Sequence, residues 1–209
     1  MSSKGALILV SVDTEAVRSV LRGLDPKKQN AVLKKALKQT SEQARNRLAE
    51  KAQGSYTVKN AGFKKAMRIR VSGTSARILS EGAPLSLEKF RHRTSKSGVK
   101  VQVVKTGGLK SIISQKNGAK AFLNNIAKKG QTRKKSTRKG TAGSAVRHIA
   151  IAQRRSRARL TINEKFSNSI PAMIGSEKHV YGMVEPYIAE DLQENLRRFV
   201  DEALGKGNA

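Results

Sequence analysis

Carboxylates, histidines and thiols are the side chains from which most active sites are built, and this chain offers few usable arrangements of them. His92, His148 and His179 lie far apart, with no metal-ligand spacing and no Ser-His-Asp order around them. There is no Cys, which excludes disulfides, thiolate nucleophiles and Cys-ligated metals. Gly107-Gly108 and the other glycines form neither a Walker loop nor a G-x-G-x-x-G fingerprint. Glu81 and Glu88 are the last carboxylates before a run that has none. The 75 residues between Glu88 and Glu164 carry 21 Lys and Arg and no Asp or Glu. A metal-dependent phosphodiesterase gathers carboxylates around its ions, and this run has none to offer. The sequence therefore predicts a protein without catalytic residues, metal or cofactor.

The chemistry it does offer is positive charge. The 209 residues hold 43 Lys and Arg against 15 Asp and Glu, a net charge of +28. Solubility alone asks for a net charge of only about 2–8 on a small domain. An acid-free run of this length has to be balanced from outside, and a polyanion, nucleic acid first, is the implied partner. The densest cations are Arg133, Lys134, Lys135, Arg138 and Lys139, followed by Arg154, Arg155, Arg157 and Arg159. These nine are the candidate nucleic-acid-binding residues. Lys and Arg without interleaved Asn, Gln or aromatic side chains meet the phosphate backbone, so no sequence specificity is implied. Five Phe, three Tyr and no Trp argue against a single-strand binder built on stacked bases. No helix-turn-helix, zinc-finger or RNA-recognition signature is present.

The elements that would carry these residues can be read from periodicity and caps. Ala6 to Val12 reads as a strand, and Asp13 to Gly23 as a short helix. Asp25-Pro26 is a helix start, an N-cap acceptor followed by Pro at the first helical position. Leu33, Leu37, Ala44 and Leu48 then give an amphipathic helix over 26–52 that stops at Gly54. Met67, Ile69 and Val71 alternate with Arg68 and Arg70, and Ala76 and Ile78 with Arg77, which predicts a hairpin over 66–80. Leu85, Leu87 and Lys89 read as a further extended piece, His92 to Gly98 as a polar loop, and Val99 to Val103 as a strand. Ala121-Phe122-Leu123 and Ile126 are expected to dock into a core. Residues 128–147 are expected to form a mobile basic loop, with a strand returning at His148–Ala152. Ser169 to Gly175 reads as a helix start or docking segment. Pro186 is expected to open a final helix over 187–204 that buries Ile188, Leu192, Leu196, Phe199 and Val200 and stops at Gly205.

The sum is an α+β protein: a long N-terminal amphipathic helix, a small antiparallel sheet with an extended basic loop, and a C-terminal helix. Residues 1–25 read as an extension, 26–204 as one domain and 205–209 as a flexible tail. No apolar run reaches the roughly 18 residues of a membrane span, and the short apolar start lacks the pattern of a signal peptide. The chain is expected to be made and used without secretion or a membrane.

The order of features resembles the minor tail protein Z family of lambda-like phages, the tail-completion proteins. An Ala-rich basic helix leads through Arg68-Ile69-Arg70-Val71 to a second strand. A polybasic loop, Ala121-Phe122-Leu123, Ile170-Pro171-Ala172-Met173 and a C-terminal amphipathic helix complete the likeness. It covers roughly residues 26–204 and includes no catalytic motif. Residues 6–23 are additional, and 128–147 is longer than the family pattern. The resemblance implies a structural virion protein at the head-proximal end of a long non-contractile tail, made in the bacterial host cytoplasm. It would complete the tail, join it to the neck and position the DNA end. The implied partners are other tail or neck proteins, further copies in a ring of six, and double-stranded DNA in the channel. A ribosomal or other structural RNA-binding protein is the alternative, since basic loops threaded into RNA give a similar charge pattern.

Overall fold

A computed structural model describes residues 6–11, 21, 25–58, 62–113, 118–132, 145–155 and 162–205. The fold is α+β, with two long helices and several small antiparallel sheets. Two compact units share the chain. A helical unit comprises 1–55, 60–84 and 168–209, and a strand-rich unit comprises 56–59 and 85–167. The stretch 26–204, which the sequence presents as one domain, is thus divided between them.

In the helical unit the first helix, α1, runs Pro26–Ser55. Gln29 N–H donates to Asp25 O at 2.9 Å, closing the first turn at the residue chosen as its cap. Leu33, Leu37, Ala44, Leu48 and Ala52 are buried, as their spacing requires, and so are Ala36, Thr40 and Ser41. The buried stripe is wide because two partners share it. One is the last helix, α3 (Tyr181–Ala203), and the other is a sheet of β1 (Ala6–Ser11), β3 (Ser75–Ser80) and β2 (Met67–Ser72), in that order. Met67, Ala76 and Ile78 bury on the sheet. Ile188, Leu192, Leu196 and Val200 bury on α3, each contributing about 1.5–3 kcal/mol. Phe199 is only half-buried, with Arg198 4.7 Å and Lys35 5.8 Å from its ring centroid.

The helix α3 begins at Tyr181, five residues before Pro186, which lies inside it. The reason is tertiary. The turn Glu177–Val180 folds back on the helix start, and Val180 N–H and Tyr181 N–H both donate to Ser176 O. A Cβ at Gly182 would stand 2.5 Å from Glu177 O, so only glycine fits there. Pro186 stands past the first turn and has no N–H to donate to the carbonyl four residues before it. Ahead of it, Ser169 Oγ caps the short helix α2 (Ile170–Ile174), whose Met173 and Ile174 are fully buried. At the far end Gly205 takes φ 72°, the expected stop.

In the strand-rich unit β5 (Arg91–Ser95), β6 (Gly98–Gln102) and β7 (Lys110–Ser111) form one sheet. β8 (Phe122–Thr132), β9 (Ala145–Arg154) and β10 (Ile162–Glu164) form another, in the order β10-β9-β8. β4 (Pro84–Ser86) pairs with β11 (Phe166–Ser169), and each of these strands spans a change of unit along the sequence. Phe90, Val99, Val101, Ala121, Ala150, Ile151 and Ala152 make the core. Gln153 is buried among them, and its Nε2 donates to Ala119 O at 2.6 Å.

Four local expectations change. Leu87–Lys89 is a turn of 3-10 helix, which brings Leu87 and Phe90 to the same core. His92 to Gly98 is a strand and its hairpin turn, because His92 and Thr94 fill the positions opposite Val101 and Val99. Residues 128–132 and 145–147 are strand, with Thr132 paired to Ala145 across a register shift. A backbone ladder needs no apolar periodicity, so charge alone does not make a loop. Of Ala121-Phe122-Leu123, only Ala121 is buried. Residues 133–144 and most of 12–24 lie outside the described residues.

Candidate nucleic-acid interface

Charge is divided unequally between the two units. The strand-rich unit holds 23 of the 43 Lys and Arg and only 2 of the 15 carboxylates, Glu88 and Glu164, a net of +21. The helical unit holds the other 20 cations and 13 carboxylates, a net of +7. There, cations meet acids: Arg47 Nη2 lies 2.9 Å from Asp191 Oδ1, and Lys35 Nζ 3.6 Å from Glu202 Oε1.

Within the strand-rich unit, the clearest surface is one face of the β5-β6-β7 sheet. Strand alternation sends Val99 and Val101 inward, so Lys100 and Gln102 face outward. The register sets Arg91 opposite Gln102 and Arg93 opposite Lys100. Arg91, Arg93 and Lys100 are all exposed. Two like charges placed directly across a ladder repel and destabilise it. A ladder that keeps them gains when an anion sits between.

At one end of this face is an open hollow of about 560 Å³ lined by Thr57, Arg91, Gln102 and Lys105. Thr57 Oγ1 donates to Gln102 O and accepts from Arg91 N–H at 3.2 Å. The Gln102 carboxamide donates to Lys105 O at 2.9 Å and also to Gly107 O, fixing that turn beside the hollow. The side-chain amide is thus fully occupied as a donor, and the charge of the hollow comes from Arg91 and Lys105. These groups can hold phosphate oxygens; they provide no base-reading pattern.

The nine cations singled out from the sequence fare differently. Arg154 ends β9 and Arg155 follows it; both are exposed. The Arg154 guanidinium lies 6.0 Å from the Phe122 ring centroid. Neither arginine is without a partner in the chain. Arg133, Lys134, Lys135, Arg138, Lys139, Arg157 and Arg159 lie outside the described residues. Arg91, Arg93, Lys100 and Lys105 are not among those nine. Their signal is the two-residue period Arg91-x-Arg93, mirrored by Lys100-x-Gln102 across a Ser-Lys-Ser-Gly turn.

Among the described residues no group of three or more His, Asp or Glu is placed to hold a metal ion. His92 Nδ1 donates to Phe90 O at 2.9 Å, and the carbonyl of His179 accepts from Ser55 Oγ at 2.9 Å. No helix among the described residues is long and apolar enough to cross a membrane. No protein-family model, curated protein or solved structure matches the chain.

Proposed function

We propose that this chain is a non-enzymatic structural protein whose strand-rich unit holds the phosphate backbone of nucleic acid. The observation that carries the reading is the segregation of charge, +21 on one unit against +7 on the other. A merely solubilising charge has no reason to collect in one unit. Arg91, Arg93, Lys100 and Lys105 supply the ordered part of the contact. Arg154 and Arg155, and the cations of 133–139 and 157–159, extend it. Each neutralised phosphate releases counterions, so binding is steeply salt-dependent and indifferent to sequence.

On its resemblance to the minor tail protein Z family, the chain is assigned to the head-proximal end of a long non-contractile phage tail. There it completes the tail, joins it to the neck, and contacts double-stranded DNA as a ring of about six copies among other tail or neck proteins. Quantitative mass measurement on purified particles tests this. A small integer number of copies per particle is expected. Hundreds of copies would indicate a tube subunit, and recovery with ribosomes would indicate the RNA-binding alternative.

A further inference from the structure

We infer that the helical unit carries a second seat for a nucleic-acid phosphate backbone, formed by Arg68, Arg70 and Arg77 on the outer face of its sheet. The inference extends the function proposed above to the other unit and uses none of the same residues.

The inner face of the β1-β3-β2 sheet is fixed by burial. Met67, Ala76, Ile78 and Ser80 point inward, and α1 packs against β2 and β3. The register then places Arg68 beside Leu79, Arg70 opposite Arg77 and Ser72 opposite Ser75 on the outer face. All three arginines are exposed. None of β1, β2 and β3 contains a carboxylate. Among the described residues the three guanidinium groups have no hydrogen-bond or ion-pair partner.

Scarcity of acids does not explain this. The helical unit has 13 carboxylates and sets two of them against Arg47 and Lys35. Its sheet nevertheless keeps two arginines directly across a ladder, an arrangement that costs stability and that one carboxylate at either position would reverse. The side-chain type matters too. The exposed cations of α1 are mostly lysines, whereas all three on the sheet are arginines, whose planar fork matches phosphate oxygens in bidentate fashion. Arg70 and Arg77 stand close enough, with Cβ atoms about 5 Å apart, to share one phosphate. Arg68 is about 6.8 Å further along β2 and reaches the next. The face has no aromatic ring for stacking and no Asn or Gln for base edges, so the contact is to backbone alone.

The test uses the full-length chain with Arg68→Thr, Arg70→Thr and Arg77→Thr together, Thr being a good strand former. Duplex DNA binding is followed by fluorescence anisotropy from 50 to 200 mM salt. Two lost phosphate contacts are expected to flatten the slope of log K against log salt by about 1.8, equally for unrelated sequences. The melting temperature is expected to stay level or rise, because the repulsion across the ladder is gone. The Lys version of the same three positions is expected to keep the slope while binding more weakly, and it stands in for the Thr variant should that misfold. A parallel variant, Arg91→Thr, Arg93→Thr and Lys100→Thr, separates the two proposals. If it flattens the slope while the sheet variant matches the wild type, the sheet inference is overturned and the proposed function stands. If neither changes the slope, both fall. If the sheet variant keeps its DNA slope but loses binding to polyglutamate, the partner is an acidic protein and the inference is overturned.

Discussion

Replacing Arg47 by Met tests how the two long helices hold their register. Their interface contains a polar seam within the apolar stripe. Asn195 Nδ2 donates to Thr40 Oγ1 at 3.0 Å and to Gln43 Oε1 at 2.7 Å, and Asp191 accepts from Arg47 one turn away. Asp191 is 6% exposed, and its Oδ2 has no hydrogen-bond partner. Without Arg47 a buried carboxylate loses its hydrogen-bonded cation. Stranding a buried polar group costs about 1–3 kcal/mol, more for a full charge. The Arg47 side chain is 41% exposed, so water softens the loss, and about 2 kcal/mol is expected. For a chain of this size that is a fall of about 4–8 °C in melting temperature. Adding Asp191→Leu is expected to recover most of the loss, because no charge then remains buried. The pH dependence has a definite sign. Burial pushes the Asp191 carboxyl above its usual 3.8, and Arg47 pulls against that shift. A folded-state pKa above the unfolded one gives stability that is fully present below the unfolded value and lost as pH rises through the folded value. The wild type should therefore lose ground to Asp191→Asn as pH rises from about 4. In Arg47→Met that window should extend higher. Thermal melts followed by circular dichroism from pH 3.5 to 8 read all of this. An Arg47→Met protein that melts within 1 °C of the wild type at pH 7 would refute the reasoning.

Leu196→Asp places a charge at a position 5% exposed between α1 and α3 and should leave the helical unit unfolded, seen as loss of the helical signal. Gly182→Ala forces a Cβ to 2.5 Å from Glu177 O, and the backbone shift should cost about 1–3 kcal/mol, read as a lower urea midpoint.

The sequence made the helical unit largely legible. Asp25-Pro26 and the Leu33-Leu37-Ala44-Leu48 stripe define α1, and the Met67–Ser80 alternation defines the hairpin, because caps and burial of one face are local in sequence. The start of α3 was not legible. It depends on Glu177 folding back over Gly182, a contact that no periodicity records. The polar seam was hidden because Asp191 and Asn195 look like solvent positions until Arg47 and Thr40 face them. In the strand-rich unit, β5 reads Arg-His-Arg-Thr-Ser and carries no apolar residue, so its inward side is known only through Val99 and Val101 opposite. That same pairing creates the Arg93–Lys100 juxtaposition. The acid-free run was visible from the outset, but a run of charge says nothing of which cations share a face.

The most direct test of the account is the salt dependence of duplex binding by the intact protein, measured on two unrelated sequences of equal length. Phosphate contacts through Arg91, Arg93, Lys100 and Lys105 predict a linear fall of log K with log salt of slope about −3.6 or steeper, the same for both sequences. Replacing Arg93 and Lys100 by Thr should make it shallower by about 1.8. Binding that is insensitive to salt, or that separates the two sequences strongly, would contradict the central claim.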